Sequence, residues 1–137
     1  MKNIAIIVPE TAIMEAIADP RYMFTAANEF LKSMGKEPLF KVELVGNKSE
    51  IKLMDDLITV HPDKTINEVE KTDLIFIPAI SGNLEAALVK NEIYVPWILE
   101  QRAKGAEVAS LCVGAFLLAS TGLKKKKKCS THWLSAN

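Results

Sequence analysis

The chain opens on Lys2 to Val8, a β-branched stretch that is continuously apolar from Ile4 and is stopped by Pro9 and Glu10. Five apolar residues in a row, with no polar alternation, predict a strand covered on both faces, as in the middle of a parallel sheet. Asp19 before Pro20 predicts a helix start, with the carboxylate as N-cap and the ring at the first helical position, where its missing N–H costs nothing. Tyr22, Phe24, Ala26, Ala27, Phe30, Leu31 and Met34 then recur at roughly helical spacing, and Gly35 supplies the left-handed residue that ends such a segment. From Leu39 to Gly46, Phe40, Val42 and Leu44 alternate with Lys41 and Glu43, the period of two expected of an outer strand. Ile51–Leu53 and Leu57–Val60, joined across Asp55 and Asp56, predict a small hairpin.

Thr65 and Glu68 have the spacing of a capping box, and Asp73 leads into the apolar strand Leu74 to Pro78. Asn83 can cap a helix running through Lys90, Tyr94 to Lys104 reads as a further helix closed by Gly105, and Glu107 to Leu111 as another strand. Strands alternating with helices predict an α/β domain, a doubly wound parallel sheet sandwiched by helices.

Composition narrows the function. At 137 residues the chain is the size of one domain, and 49% hydrophobic residues are enough for a core. Lysine and arginine balance aspartate and glutamate at 17 each, so no global positive field draws the whole chain onto DNA or an anionic membrane. Five of those cations lie together at Lys124 to Lys128, a run that reads as a solvated loop, with a phosphate-binding patch as the alternative. The first apolar run is too short for a signal-peptide core or a membrane span, which predicts a cytoplasmic protein without a membrane partner. Two cysteines, Cys112 and Cys129, form no disulfide framework.

Chemistry concentrates at Ser110-Leu-Cys-Val-Gly-Ala-Phe-Leu-Leu-Ala119. A strand running into Cys112 with a helix starting directly after it has the form of a nucleophile elbow, in which Gly114 allows close packing of strand and helix. Unpaired N–H groups at the helix start favour thiolate over thiol. Backbone N–H groups at Val113 and around Ser81 and Gly82 can form an oxyanion site. His132 is placed to accept the thiol proton, and its neighbour Trp133 to line a pocket. The bland readings are a buried inert thiol, a structural histidine and, for Trp97, helix packing. Cys129 and His132 have the spacing of two metal ligands in a short turn, which Cys112 or His61 could complete as a zinc site, but only four candidate ligands exist and His61 sits far away beside the hairpin, so neither metal nor cofactor is expected. Asp55 and Asp56 read as a hairpin turn, since adjacent carboxylates in an extended segment point apart.

Several pieces together carry a family resemblance: Ile4-Ala-Ile-Ile-Val-Pro9, Phe24-Thr-Ala-Ala-Asn28, Asp73-Leu-Ile-Phe-Ile-Pro78, the Cys112 elbow through Ala119, Thr121-Gly-Leu123 and Thr131-His-Trp133. They resemble the N-terminal domain of AraC-type transcriptional regulators, which belongs to the PfpI-like, class I glutamine amidotransferase-like superfamily. The resemblance spans almost the whole chain. It implies a flavodoxin-like fold whose pocket around the elbow cysteine senses a small-molecule effector, commonly in a dimer. It also implies a helix-turn-helix domain that reads DNA, expected beyond residue 137, with the α/β domain cut short at its C-terminus.

Three departures bear on chemistry. Superfamily enzymes carry an acidic side chain four residues before the proline matching Pro20, and this chain has Ala16 there, with Glu15 adjacent. The turn after Pro78, Ala79-Ile-Ser-Gly82, has a single glycine where the family is glycine-rich. Five lysines stand between Leu123 and Cys129 in place of a short turn. Two readings result. One is an effector-sensing domain with Cys112, Val113, Gly114, Ser81, Gly82, His132 and Trp133 around the ligand. The other is a Cys-dependent hydrolase or hydratase acting on an amide, isonitrile or reactive carbonyl, with Cys112 as nucleophile, His132 as general base and the Val113 N–H as oxyanion donor.

Overall fold

The computed structural model describes residues 1–110. In chain order these form β1 (Lys2–Ile7), α1 (Met14–Ser33), β2 (Phe40–Gly46), β3 (Ile51–Leu53), β4 (Ile58–Val60), β5 (Lys64–Thr65), a single 3₁₀ turn (Ile66–Glu68), β6 (Leu74–Ile77), α2 (Leu84–Lys90), α3 (Tyr94–Ala103) and β7 (Glu107–Ser110). Five strands make one parallel sheet in the order β5-β2-β1-β6-β7. The apolar runs of β1 and β6 lie side by side at its centre, because strands covered on both faces have no polar side to turn outward.

From β1 the chain moves one way along the sheet through α1 to β2, and from β6 the other way through α2 and α3 to β7. Right-handed crossovers in opposite directions put their helices on opposite faces. Ile17 and Phe24 of α1 accordingly pack with Ile4, Ile6 and Val8. Tyr94, Trp97 and Ile98 of α3 pack with Ala5, Ile7, Ile75 and Ile77. The predicted doubly wound α/β architecture is the one observed, and Trp97 is a core residue, only 6% exposed.

Helix α1 departs from the sequence expectation. It begins at Met14, and Pro20 lies within it while Asp19 is exposed and caps nothing. The reason is tertiary: Ala12 bridges Ile80, and the Ile13 N–H donates to the Ala79 carbonyl at 3.0 Å. These contacts fix the helix entry ahead of the proline, and burial of Ile17 and Pro20 on the sheet offsets the hydrogen bond that Pro20 cannot donate. Only part of the predicted apolar set faces the core. Phe24 stacks edge-on with Phe40 at a centroid distance of 5.1 Å, whereas Tyr22, Phe30 and Met34 are exposed.

The ends of α1 and α3 follow their glycines. Gly35 (φ 73°) donates to the Lys32 carbonyl while Lys36 N–H reaches Leu31, and Gly105 (φ 103°) with Ala106 repeats the pattern on Arg102 and Gln101. Asn83 caps α2 through its side-chain oxygen, which accepts from Ala86 N–H at 2.9 Å. The Thr65–Glu68 box forms over the 3₁₀ turn, with the Glu68 carboxylate accepting from the Thr65 N–H at 3.0 Å.

Strand β2 is an outer strand, as its alternation predicts, because β5 pairs only with Val45 and Gly46. Side chains seal the rest of its free edge. The Asn28 amide accepts from Phe40 N–H at 3.1 Å and donates to Phe40 O at 2.7 Å, and Asp63 accepts from Leu44 N–H at 2.7 Å. These groups occupy the positions of a neighbouring strand and leave little edge for another chain to pair with. The β3–β4 hairpin is antiparallel as expected. Its tip is not extended, however: Met54, Asp55 and Asp56 all adopt positive φ (54°, 53° and 65°), so the two carboxylates stand on a tight left-handed turn.

Candidate functional site at the carboxyl edge of the sheet

Strand order reverses between β1 and β6, and in open parallel sheets the crevice outside the carboxyl ends at that reversal is where ligands bind. Here the loops leaving the two strands are tied together. Ser81 donates both its N–H, at 2.7 Å, and its hydroxyl, at 3.0 Å, to the carbonyl of Thr11, next to the Ala12–Ile80 bridge. The Ser81 N–H is thus bonded within the fold, to the loop that follows β1. Gly82 follows at φ 79°, its N–H has no acceptor among the described residues, and a Cβ there would meet nothing within 4 Å.

Beside this junction is a polar cluster that local sequence pattern did not reveal. Glu10, just past β1, pairs with Lys48, just past β2, at 2.9 Å, with the two side chains 28% and 58% exposed. The Glu10 backbone N–H donates to the Asn91 side-chain oxygen at 2.8 Å, and the Asn91 amide donates to the Thr11 hydroxyl at 3.3 Å and to Ala87 O at 2.9 Å. Asn91 itself is fully buried. Tyr94 performs the same service one strand over: its hydroxyl donates to Val8 O at 2.8 Å and accepts from Asn47 N–H at 2.9 Å. Burial, reinforced by the nearby Glu10 charge and opposed by the Asn47 N–H, pushes the Tyr94 phenol well above its ordinary pKa, so it stays a neutral donor. The junction of α2 and α3 thus clamps the ends of β1 and β2 from beneath. Glu10 and Lys48 are left at the rim, where an ion pair is weakly held and can be rearranged by a polar ligand.

The predicted site residues divide. Ser81 and Gly82 lie at the carboxyl edge, in the loop after β6. Cys112, Val113, Gly114, His132 and Trp133 lie outside the described residues, as do the lysine run and Cys129. The last described position, Ser110, pairs with Ile77 at the end of β6. Ala16 is half-buried in the first turns of α1, and Glu15 is exposed on that helix. His61 is an exposed residue after the hairpin, 3.9 Å from Glu50. Among the described residues no group of three or more His, Cys, Asp or Glu could hold a metal ion. None of their helices is long and apolar enough to cross a membrane.

A parallel sheet with helices on both faces and polar loops gathered at its carboxyl edge defines a flavodoxin-like α/β domain. The chain belongs to the DJ-1/PfpI family, whose model matches residues 5–137. Among solved structures, it is similar to a candidate transcriptional regulator from Vibrio parahaemolyticus, at TM-score 0.80 and 20% identity over 99% of this chain and 70% of the other. A THiJ/PfpI family protein from Pseudomonas syringae is similar at TM-score 0.75 and 19% identity, over 96% of this chain and 50% of that one. An AraC family transcriptional regulator from Pseudomonas putida is similar at TM-score 0.72 and 13% identity, over 98% and 68%. No curated protein sequence matches the chain significantly.

Proposed function

We propose that this chain is the effector-sensing domain of an AraC-type transcriptional regulator, cytoplasmic and dimeric. DNA would be read by a helix-turn-helix domain beyond residue 137, and a small molecule would be bound at the carboxyl edge around Cys112, Val113, Gly114, Ser81, Gly82, His132 and Trp133. One observation carries the preference for sensing over turnover. The Ser81 N–H, a donor that an oxyanion site would need free, is committed to Thr11. A catalytic site gains most from donors preorganised toward developing charge, whereas a binding site can use the same backbone as a fixed wall. Ala16 in the place of an acidic partner, and the likeness to two regulators, support the same reading.

The hydrolase or hydratase reading keeps one favourable observation, the Gly82 N–H with no acceptor among the described residues. A panel of small amides, isonitriles and reactive carbonyl compounds separates the two. Sensing predicts that panel members raise the melting temperature without being consumed, and that Cys112→Ala changes this response while DNA binding by the full-length protein persists. Turnover that Cys112→Ser abolishes, together with fast thiol alkylation at neutral pH, would establish the enzyme instead.

A further inference from the structure

The connection from β5 to β6 runs only from Ile66 to Asp73 and holds a single 3₁₀ turn, where a longer crossover would carry a packed helix. The flank of α3 beside this turn is left thinly covered. Between the two lies a cavity of about 390 Å³, walled by Ile66, Asn67 and Val69 of the connection and by Ile93, Trp97 and Glu100 along α3. It shares no residue with the crevice at the carboxyl edge. Its walls are graded, with Asn67, Ile93 and Glu100 exposed at the mouth and Ile66 and Trp97 buried at the floor. One group at that floor is out of place. The Trp97 Nε1–H is covered and has no acceptor among the described residues, although buried N–H groups are as a rule paired.

We propose that this cavity is a second ligand site, one that takes a neutral small molecule made of a compact apolar ring and a carbonyl group, the carbonyl being received by the Trp97 N–H after a small turn of the indole. Each part of that ligand follows from a wall. The volume is at the small end of the range for ligand pockets, and Ile66, Val69, Ile93 and the indole face are apolar, which sets the ring. The unpartnered donor sets the carbonyl, because a covered N–H without an acceptor gains more from a ligand that supplies one than from a hydrocarbon of the same shape. Glu100 sets the charge. Its carboxylate stands at the mouth and would repel an anionic ligand. The site is independent of what the carboxyl-edge crevice binds, yet it touches the same helix: Tyr94, three residues before Trp97, holds Val8 and Asn47 at that edge.

The test is a titration of the full chain followed by NMR at the indole N–H resonances of its two tryptophans, with Trp133→Phe assigning that of Trp97. The added molecules are cyclohexanone, cyclohexanecarboxylate and methylcyclohexane, similar in bulk and different in the group they offer. Cyclohexanone should move the Trp97 resonance downfield and saturate. Cyclohexanecarboxylate should bind about tenfold more weakly or worse, and methylcyclohexane should give no downfield shift. Glu100→Gln should narrow the gap between ketone and carboxylate. Asn67→Phe, which sets a ring across the mouth from an exposed position, should remove the ketone's shift while circular dichroism and melting temperature show the fold retained. A Trp97 resonance that none of the three moves, or that all three move alike, would overturn the proposal. So would a ketone shift that survives Asn67→Phe, since the ketone would then be bound elsewhere.

Discussion

The two ends of α3 are built with the same device and put to different use. At its C-terminal end, under the amino edge of the sheet, Gln101 is 1% exposed; its side-chain oxygen accepts from Thr72 N–H at 3.1 Å and its amide donates to Glu70 O at 3.3 Å. Thr72 in turn donates its hydroxyl to Asn3 O, and Asp73 accepts from Asn3 N–H at 2.8 Å. These polar groups are consumed within the fold, and the exposed charges on the segment they hold, Glu70 and Lys71, stand at the amino edge, away from the crevice at the carboxyl ends of the strands. At the N-terminal end, Asn91 and Tyr94 also clamp backbone, but the segments they clamp bear Glu10 and Lys48 at the rim. A buried polar side chain that fixes main chain is thus a staple at both edges. At the carboxyl edge the stapled chain carries its charges, Glu10 and Lys48, beside the crevice where the strand order reverses.

Loss of the amino-edge staple should have the largest effect. Gln101→Ala leaves Thr72 N–H without its side-chain partner and removes the amide from the Val69 and Glu70 carbonyls, of which Glu70 keeps Lys104 Nζ at 2.8 Å, and about 3 kcal/mol of stability should vanish in urea unfolding. Ligand response should be unchanged, and a changed response would show that the two ends of α3 are coupled.

Tyr94→Phe should cost less, about 1.5 kcal/mol, because two backbone groups lose one shared partner. Its pH dependence sharpens the contrast. The folded-state pKa of Tyr94 lies above its unfolded value, so the unfolded chain releases its proton first, and the tyrosine's contribution is complete below about pH 10 and declines as pH rises further. The stability gap between wild type and Tyr94→Phe should therefore be constant near neutrality and narrow above about pH 10. Unfolding curves from pH 7 to 11 would show it, and a gap that widened would contradict the buried neutral phenol.

The smallest effect on stability belongs to the rim. Lys48→Ala should change unfolding by less than about 1 kcal/mol, as expected of an exposed ion pair. It should nonetheless alter the affinity for whichever small molecule stabilises the wild type, measured by calorimetry. A rim substitution that left affinity untouched while Asn91→Ala reduced it would move the ligand away from the Glu10–Lys48 side.

Much of the fold was legible before any coordinates, since the features that mark it are local. The apolar runs of β1 and β6, the Asn83 cap, the Thr65–Glu68 box and the glycines after α1 and α3 each declare themselves within a few residues. So does the hairpin, although not the left-handed path through Met54, Asp55 and Asp56. The start of α1 was misplaced because Asp19-Pro20 is a strong local signal that a distant pairing, Ala12 with Ile80, outweighs. Cys112, His132 and Trp133 stood out through residue type and resemblance alone. Glu10, Asn47, Asn91 and Tyr94 could not stand out in that way, because their partners lie in other elements.

The sequence by itself determined which segments become strands and helices, since periodicity and capping act over a turn or a few residues. It also carried the family. Tertiary structure decided which polar groups meet: Tyr94 with Val8 and Asn47, Asn91 with Glu10, Ser81 with Thr11, Asn28 with the edge of β2. Such pairings join segments far apart along the chain. They form because a buried polar group must find a partner, and that partner is fixed only once the sheet has assembled and the crossovers have set which loops share an edge.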